Sequence, residues 1–185
     1  DTLEAYGINP WFIAELTKRL TKAFAKGNKD SILILSADLG HYVADAHVPL
    51  HTSENYDGQM TSQKGIHSFW ETRLPELFGK SYDYYVGEAN YIEYPLSESW
   101  KIIRSSFSSL DSVLKLESRL NDQFPKDKKF MAQKKGDKVF YDFSEEYSRQ
   151  YHTMLNHMVE RQMRAAIVEV GSFWYTAWVN AGKPN

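Results

Sequence analysis

His41, Asp45, His51, His67 and Glu71 form a run of nitrogen and oxygen donors spaced His-x3-Asp-x5-His-x15-His-x3-Glu. His41 and Asp45, and again His67 and Glu71, are four residues apart, so on a helix each pair projects from one face, one turn above the other. Zinc takes imidazole nitrogen and carboxylate oxygen at about 2.0–2.2 Å, and a catalytic zinc site uses three protein ligands while one position stays open to water or substrate. His51, His67 and Glu71 supply one such set. His41 and Asp45 add two more donors, which suggests a second ion held close by, with Asp45 able to bridge. The plainer reading is two unrelated polar pairs on helix surfaces. The setting weighs against it: four of the six His fall between positions 41 and 67, and His41 and Asp45 follow the apolar run ILILSADLG. Polar groups buried there need partners.

The elements that must carry these donors follow from punctuation and periodicity. Asn9-Pro10 reads as a helix start, Asn capping and Pro in the first helical position, and WFIAELTKRLTKAFAKG keeps helical spacing until Gly27 stops it. DSILILSADLGHYVADA repeats the pattern with a nearly all-apolar middle, predicting a buried central helix that Pro49 ends. Residues 52–65 are a loop by composition. A helix from Ile66 runs through HSFWETRLPELF, where Pro75 either kinks it or starts its last segment. An aromatic, turn-prone stretch then leads to a long amphipathic helix over Leu96 to Phe124. Lys126 to Lys138 reads first as a solvated loop and, in a sharper reading, as a phosphate or membrane-surface patch. One final helix is expected from Ser144 to Asn180. With no repeats or linkers, the fold class is all-α, and residues 1–185 form a single domain.

Composition bounds the function. The 185 residues are 42% hydrophobic and 25% charged with a formal net charge of -2, which does not announce a nucleic-acid binder. No apolar stretch is long enough to span a bilayer, and the start lacks the basic and apolar regions of a signal peptide. Without Cys, any transition metal must be held by His and carboxylate. His152 and His157, five apart, point in different directions and are expected to be ordinary histidines. His47 fits either a partner to the ligand cluster or a solvent-facing helix end. In ENYDG, Asn55 and Asp57 could touch substrate, although a turn is the plainer reading. Trp174 and Trp178 are expected in the core rather than on a lipid-binding surface, and Trp70 is expected to pack behind the ligands.

At these residues the sequence resembles the zinc-dependent phospholipase C and single-strand-specific nuclease superfamily. GHYVADAHVPLH is similar to the family segment in which a helix gives a His, an Asp four residues on and, after Pro and an apolar residue, another His. GIHSFWE is similar to the segment whose His and carboxylate complete one zinc site. The resemblance implies an all-α hydrolase of phosphate esters with up to three zinc ions in a complete member. His51, His67 and Glu71 would hold one ion, about the one fully liganded here, and His41 and Asp45 would belong to a closely spaced pair. It implies a phospholipid or other phosphodiester substrate, or single-stranded nucleic acid, and a periplasmic or secreted location. Glu71 leans towards phospholipase C; His47 leans towards the nucleases. Family members begin with a zinc-binding terminal residue, usually Trp, and carry further ligands before the first motif. Here Asp1 stands first and no His precedes His41, so the resemblance implies the C-terminal part of a longer protein, with the usual general base in the missing N-terminal region. A different class stays open: a non-catalytic helical module that binds one structural zinc, or none.

Overall fold

The structure, a computed structural model, describes residues 7–135 and 138–185; Asp1 and the rest of the first six residues lie outside them. The fold is mostly all-α, as the sequence implies. Helix α1 (Asn9–Lys26) ends on Gly27, whose φ of 63° lets its N–H reach the Ala23 and Phe24 carbonyls. Asn9 does not cap it. Ile8 is the flanking residue, and the Asn9 amide donates to the Tyr42 carbonyl at 3.2 Å, tying α1 to α2 (Lys29–Ala46). The cap of α2 is Asn28, whose side chain accepts from the Ser31 N–H at 3.0 Å.

The reading of α2 as a fully buried helix is corrected. Its buried stripe is Leu35, Leu39, Val43 and Ala46, while Leu33 and Ile34 are 70% and 62% exposed. One face packs on α1, the last helix and the long helix between them in sequence, and Leu33 and Ile34 project from the other.

After a 3₁₀ turn (Pro49–Thr52) and a loop come three fused helical pieces: α3 (Ile66–Ser68), a π turn (Phe69–Arg73) and α4 (Leu74–Phe78). Pro75 explains the π turn. It has no N–H to offer the Glu71 carbonyl one turn back, and its ring crowds that carbonyl. The Leu74 N–H instead reaches back to Phe69. The long helix α5 (Pro95–Gln123) follows, close to its predicted span.

Two further expectations are overturned. The lysine-rich stretch is not simply a loop: a 3₁₀ turn (Lys126–Lys128) leads into an antiparallel hairpin of β1 (Phe130–Lys135) and β2 (Lys138–Phe143). The last helix is two, α6 (Glu145–Met154) and α7 (Met158–Asn180), broken where Asn156 and His157 take positive φ. Asn and His tolerate that region better than most residues, so no Gly or Pro marks the break.

Two apolar clusters result. Ile13, Leu16, Leu20, Leu39, Val43 and Phe173 centre one, between α1, α2 and α7. Phe69, Val113, Tyr147, Tyr151 and Leu155 centre the other. Ala46 belongs to the first, and Val48 and Leu50 to the second. The end of α2 therefore crosses the seam between them, and the Ser106 hydroxyl fixes it by donating to the Ala46 carbonyl at 2.7 Å. Core packing by Trp174 is also corrected: it is Phe173 and Ala177 that are buried, while the half-exposed Trp174 donates its indole N–H to the Ser36 carbonyl.

Candidate metal centre

The seam brings His51, His67 and Glu71 together. His51 rides the 3₁₀ turn after α2, His67 stands on α3, and Glu71 sits in the π turn. His51 Nε2 lies 3.0 Å from His67 Nε2, His67 Nε2 lies 2.7 Å from Glu71 Oε2, and His51 Nε2 lies 3.7 Å from that oxygen. Two ligands of a tetrahedral ion at about 2.05 Å stand roughly 3.3 Å apart. The observed triangle brackets that edge, so the donor set fits a metal ion in both chemistry and size.

Hydrogen bonding settles which nitrogens are free. His51 Nδ1 donates to the Asp45 carbonyl at 3.1 Å, which leaves the Nε2 lone pair aimed at the triad. His67 Nε2–H then serves Glu71 and faces His51. A cation in place of that proton would engage all three donors.

His41 and Asp45 form a neighbouring pair rather than part of the triad. His41 Nε2 is 3.5 Å from Asp45 Oδ2, and the His41 side chain is 66% exposed. Asp45 Oδ1 lies 4.0 Å from His51 Nδ1, so Asp45 sits between the two groups. His47 is buried and bonds through Nδ1 to the Val43 carbonyl at 2.8 Å. Burial lowers its pKa, and that hydrogen bond offsets part of the effect. His152 and His157 take no part in the centre: His152 contacts the Tyr82 hydroxyl, and His157 contacts Glu160.

Asp57 does more than turn a loop. Its Oδ1 accepts from the backbone N–H of Gly65 at 3.0 Å and of His67 at 3.4 Å. A carboxylate there satisfies donors that a helix start leaves open and favours the positive end of the helix. It thereby sets the angle at which α3 presents His67. Asn55 shapes the same loop, accepting from the Met60 N–H at 2.7 Å and donating to Thr61 Oγ1 at 2.9 Å. If the triad holds a metal ion, Asp57→Ala is expected to weaken its binding by about tenfold to a hundredfold, the usual effect of losing a group that orients a ligand. Competition against a chromogenic chelator reads this directly, and an unchanged affinity would remove Asp57 from the site.

Two hollows flank the ligands. One, of about 340 Å³, is lined by Trp70, Val159, Met163 and Ile167 together with Asp45 and Glu71, and is chiefly apolar. Trp70 is buried behind the ligands as expected, and its indole N–H meets no acceptor among the described residues. The other, of about 470 Å³, holds Asn9, Thr52, Glu54 and Trp100 beside Asp45 and His51, and is more polar. Asp45 lines both. Tyr56 is exposed, with its ring edge-on to His67 at 6.1 Å. No helix among the described residues is long and apolar enough to cross a membrane. Comparison with profiles of known families, with curated proteins and with solved structures returns no match.

Proposed function

We propose that this chain is a zinc-dependent hydrolase of phosphate esters, phospholipase C-like. The observation that carries it is the convergence of His51, His67 and Glu71 on one point, with the His51 tautomer fixed by the Asp45 carbonyl. This donor set of two imidazoles and a carboxylate suits zinc. When bound, zinc supplies Lewis acidity toward a phosphoryl oxygen and acidifies water to a pKa of about 7. His51, His67 and Glu71 would hold the ion, and His41 and Asp45 would serve a second. Asp57 orients His67. The apolar hollow beside Glu71 offers an apolar substituent a place out of water, which favours a phospholipid over a wholly polar diester.

A second reading, a single-strand nuclease or nucleotidase, draws support from Tyr56, an exposed ring beside the ligands on which a base could stack. Export to the periplasm or beyond belongs to the same proposal and rests on the resemblance.

Metal analysis by mass spectrometry of chain purified without chelator, beside the His67→Ala/Glu71→Ala double variant, tests the centre. About one zinc per chain is expected, lost in the double variant. Zinc-loaded chain should cleave a chromogenic phosphodiester only slowly, because the resemblance places the general base outside it, and that turnover should be lost in the double variant. Phosphatidylcholine and single-stranded DNA, offered side by side, separate the two readings. Chain that takes up no zinc, or turnover that survives the double substitution, would sink the proposal.

A further inference from the structure

The hairpin is held firmly at its base and left bare beyond it. Phe143 stacks on Phe69 with ring centroids 3.8 Å apart, Arg73 Nε donates to the Phe143 carbonyl at 3.2 Å, and the Ser144 N–H donates to the Lys129 carbonyl at 2.9 Å. In the register, Phe130, Ala132 and Lys134 oppose Phe143, Tyr141 and Val139. Opposed residues share a face and successive residues alternate, so Met131 and Phe140 lie on the other face.

Apolar side chains are exposed on both faces. Tyr141 and Val139 are 76% and 62% exposed, and Phe130, Met131 and Phe140 are exposed too. A soluble surface seldom displays such a cluster without using it, and an isolated two-stranded ribbon gains little stability from it.

Charge indicates what covers it. Residues 126–138 hold six Lys against two Asp, in a chain of net charge -2. The remainder is therefore acidic, and the positive charge is concentrated at the hairpin. Of the lysines, Lys129 is engaged with buried Glu117, whereas Lys126, Lys128 and Lys134 are exposed.

We propose that the hairpin is a membrane-surface anchor: it places Val139 and Tyr141, which share a face with Lys134, at the interface of a bilayer containing anionic phospholipid, while the flanking lysines meet the headgroups. The composition favours lipid over nucleic acid. Residues 126–143 contain no Arg to fork onto phosphates or read bases, and the exposed Met131 and Val139 add aliphatic surface that suits acyl chains. The proposal stands on the hairpin alone and holds whatever the metal centre turns over.

The test is co-sedimentation of the full chain, in the presence of chelator, with vesicles of mixed phosphatidylglycerol and phosphatidylcholine, against vesicles of phosphatidylcholine alone. Chelator removes the metal centre's chemistry from the readout, so failure here and failure of the phosphoesterase reading are told apart. Binding to the anionic vesicles, weakened by salt, is expected. Val139→Ser/Tyr141→Ser should lower it by at least about tenfold, and Lys128→Gln and Lys134→Gln by about fivefold each. These side chains are solvent-exposed, so the variants should melt as the parent does, which circular dichroism verifies. Absence of vesicle binding, binding indifferent to the hairpin substitutions, or hairpin-dependent binding of single-stranded DNA in place of vesicles would each overturn the proposal.

Discussion

Glu117→Ala is expected to cost about 3–5 kcal/mol of stability, the range for removing one partner from a buried ionic group. Glu117 is nearly fully buried on α5, yet it binds groups from three other parts of the chain. Its Oε1 accepts from Lys129 Nζ at 2.9 Å and from the Tyr147 hydroxyl at 2.6 Å, and its Oε2 accepts from Gln63 Nε2 at 2.7 Å. Burial first, then the bond to Glu117, raises the pKa of the Tyr147 hydroxyl, so it keeps its proton and donates. Alanine would strand the Lys129 ammonium, left with the Asn121 side-chain oxygen at 2.8 Å and the nearby aromatic faces. The Tm should fall by roughly 6–20 °C for a chain of this size, and that of Glu117→Gln, which keeps an acceptor, should fall less. A loss below about 1 kcal/mol in Glu117→Ala would mean that the network is not a stabilising hub. Because Gln63 belongs to the loop that carries Asp57, the variant should also loosen metal binding.

This network shows where the sequence stops being legible. The convergence of His51, His67 and Glu71 was partly readable, because residues four apart such as His67 and Glu71 share a helix face whatever surrounds them. Helix ends marked by Pro10, Gly27 and Pro49 were readable because proline and glycine constrain the backbone by themselves. Glu117 was not, since a lone glutamate in an amphipathic helix looks the same whether it faces water or a buried lysine. Asp57 reaches backbone N–H groups eight and ten residues on, a separation with no local signature. The hairpin was obscured because its lysines read as solvation, although Val139-Phe140-Tyr141 carries strong β propensity. The break between α6 and α7 depends on Asn156 and His157 accepting positive φ, which many helices containing those residues never require.

The centre is thus positioned by parts that hold none of its ligands. Pro75 causes the π turn in which Glu71 sits, Asp57 aims His67, and Ser106 pins the end of α2 ahead of His51. Phe69 and Arg73, on the helical segment between and beyond the last two ligands, lock onto the hairpin base. Disturbance at the loop or the hairpin base is therefore expected to reach the metal.

Gly58→Ala should show this most sharply, costing roughly 2–5 kcal/mol and most of the metal affinity. Gly58 has a φ of 72°, and a Cβ built there would lie 2.5 Å from the Gln63 carbonyl oxygen and 2.7 Å from its carbon. Positive φ alone costs an alanine about 1–2 kcal/mol, and forcing atoms into a filled space adds about 1–3 kcal/mol. The loop has little freedom to yield. The Gln63 N–H donates to the Gly58 carbonyl at 2.9 Å, and the Gln63 side chain is fixed by Glu117 and by the Leu114 carbonyl at 2.8 Å. Relief must come from the Gly58 side, and that moves Asp57 off the start of α3. Gly27→Ala is the control, because it has φ of 63° and nothing within 4 Å of the added carbon; it should show the positive-φ cost alone and leave any metal affinity unchanged. Chemical denaturation of both variants, with zinc titration of each, decides the matter: equal losses of stability with affinity preserved in both would mean that the loop does not transmit strain to the ligands.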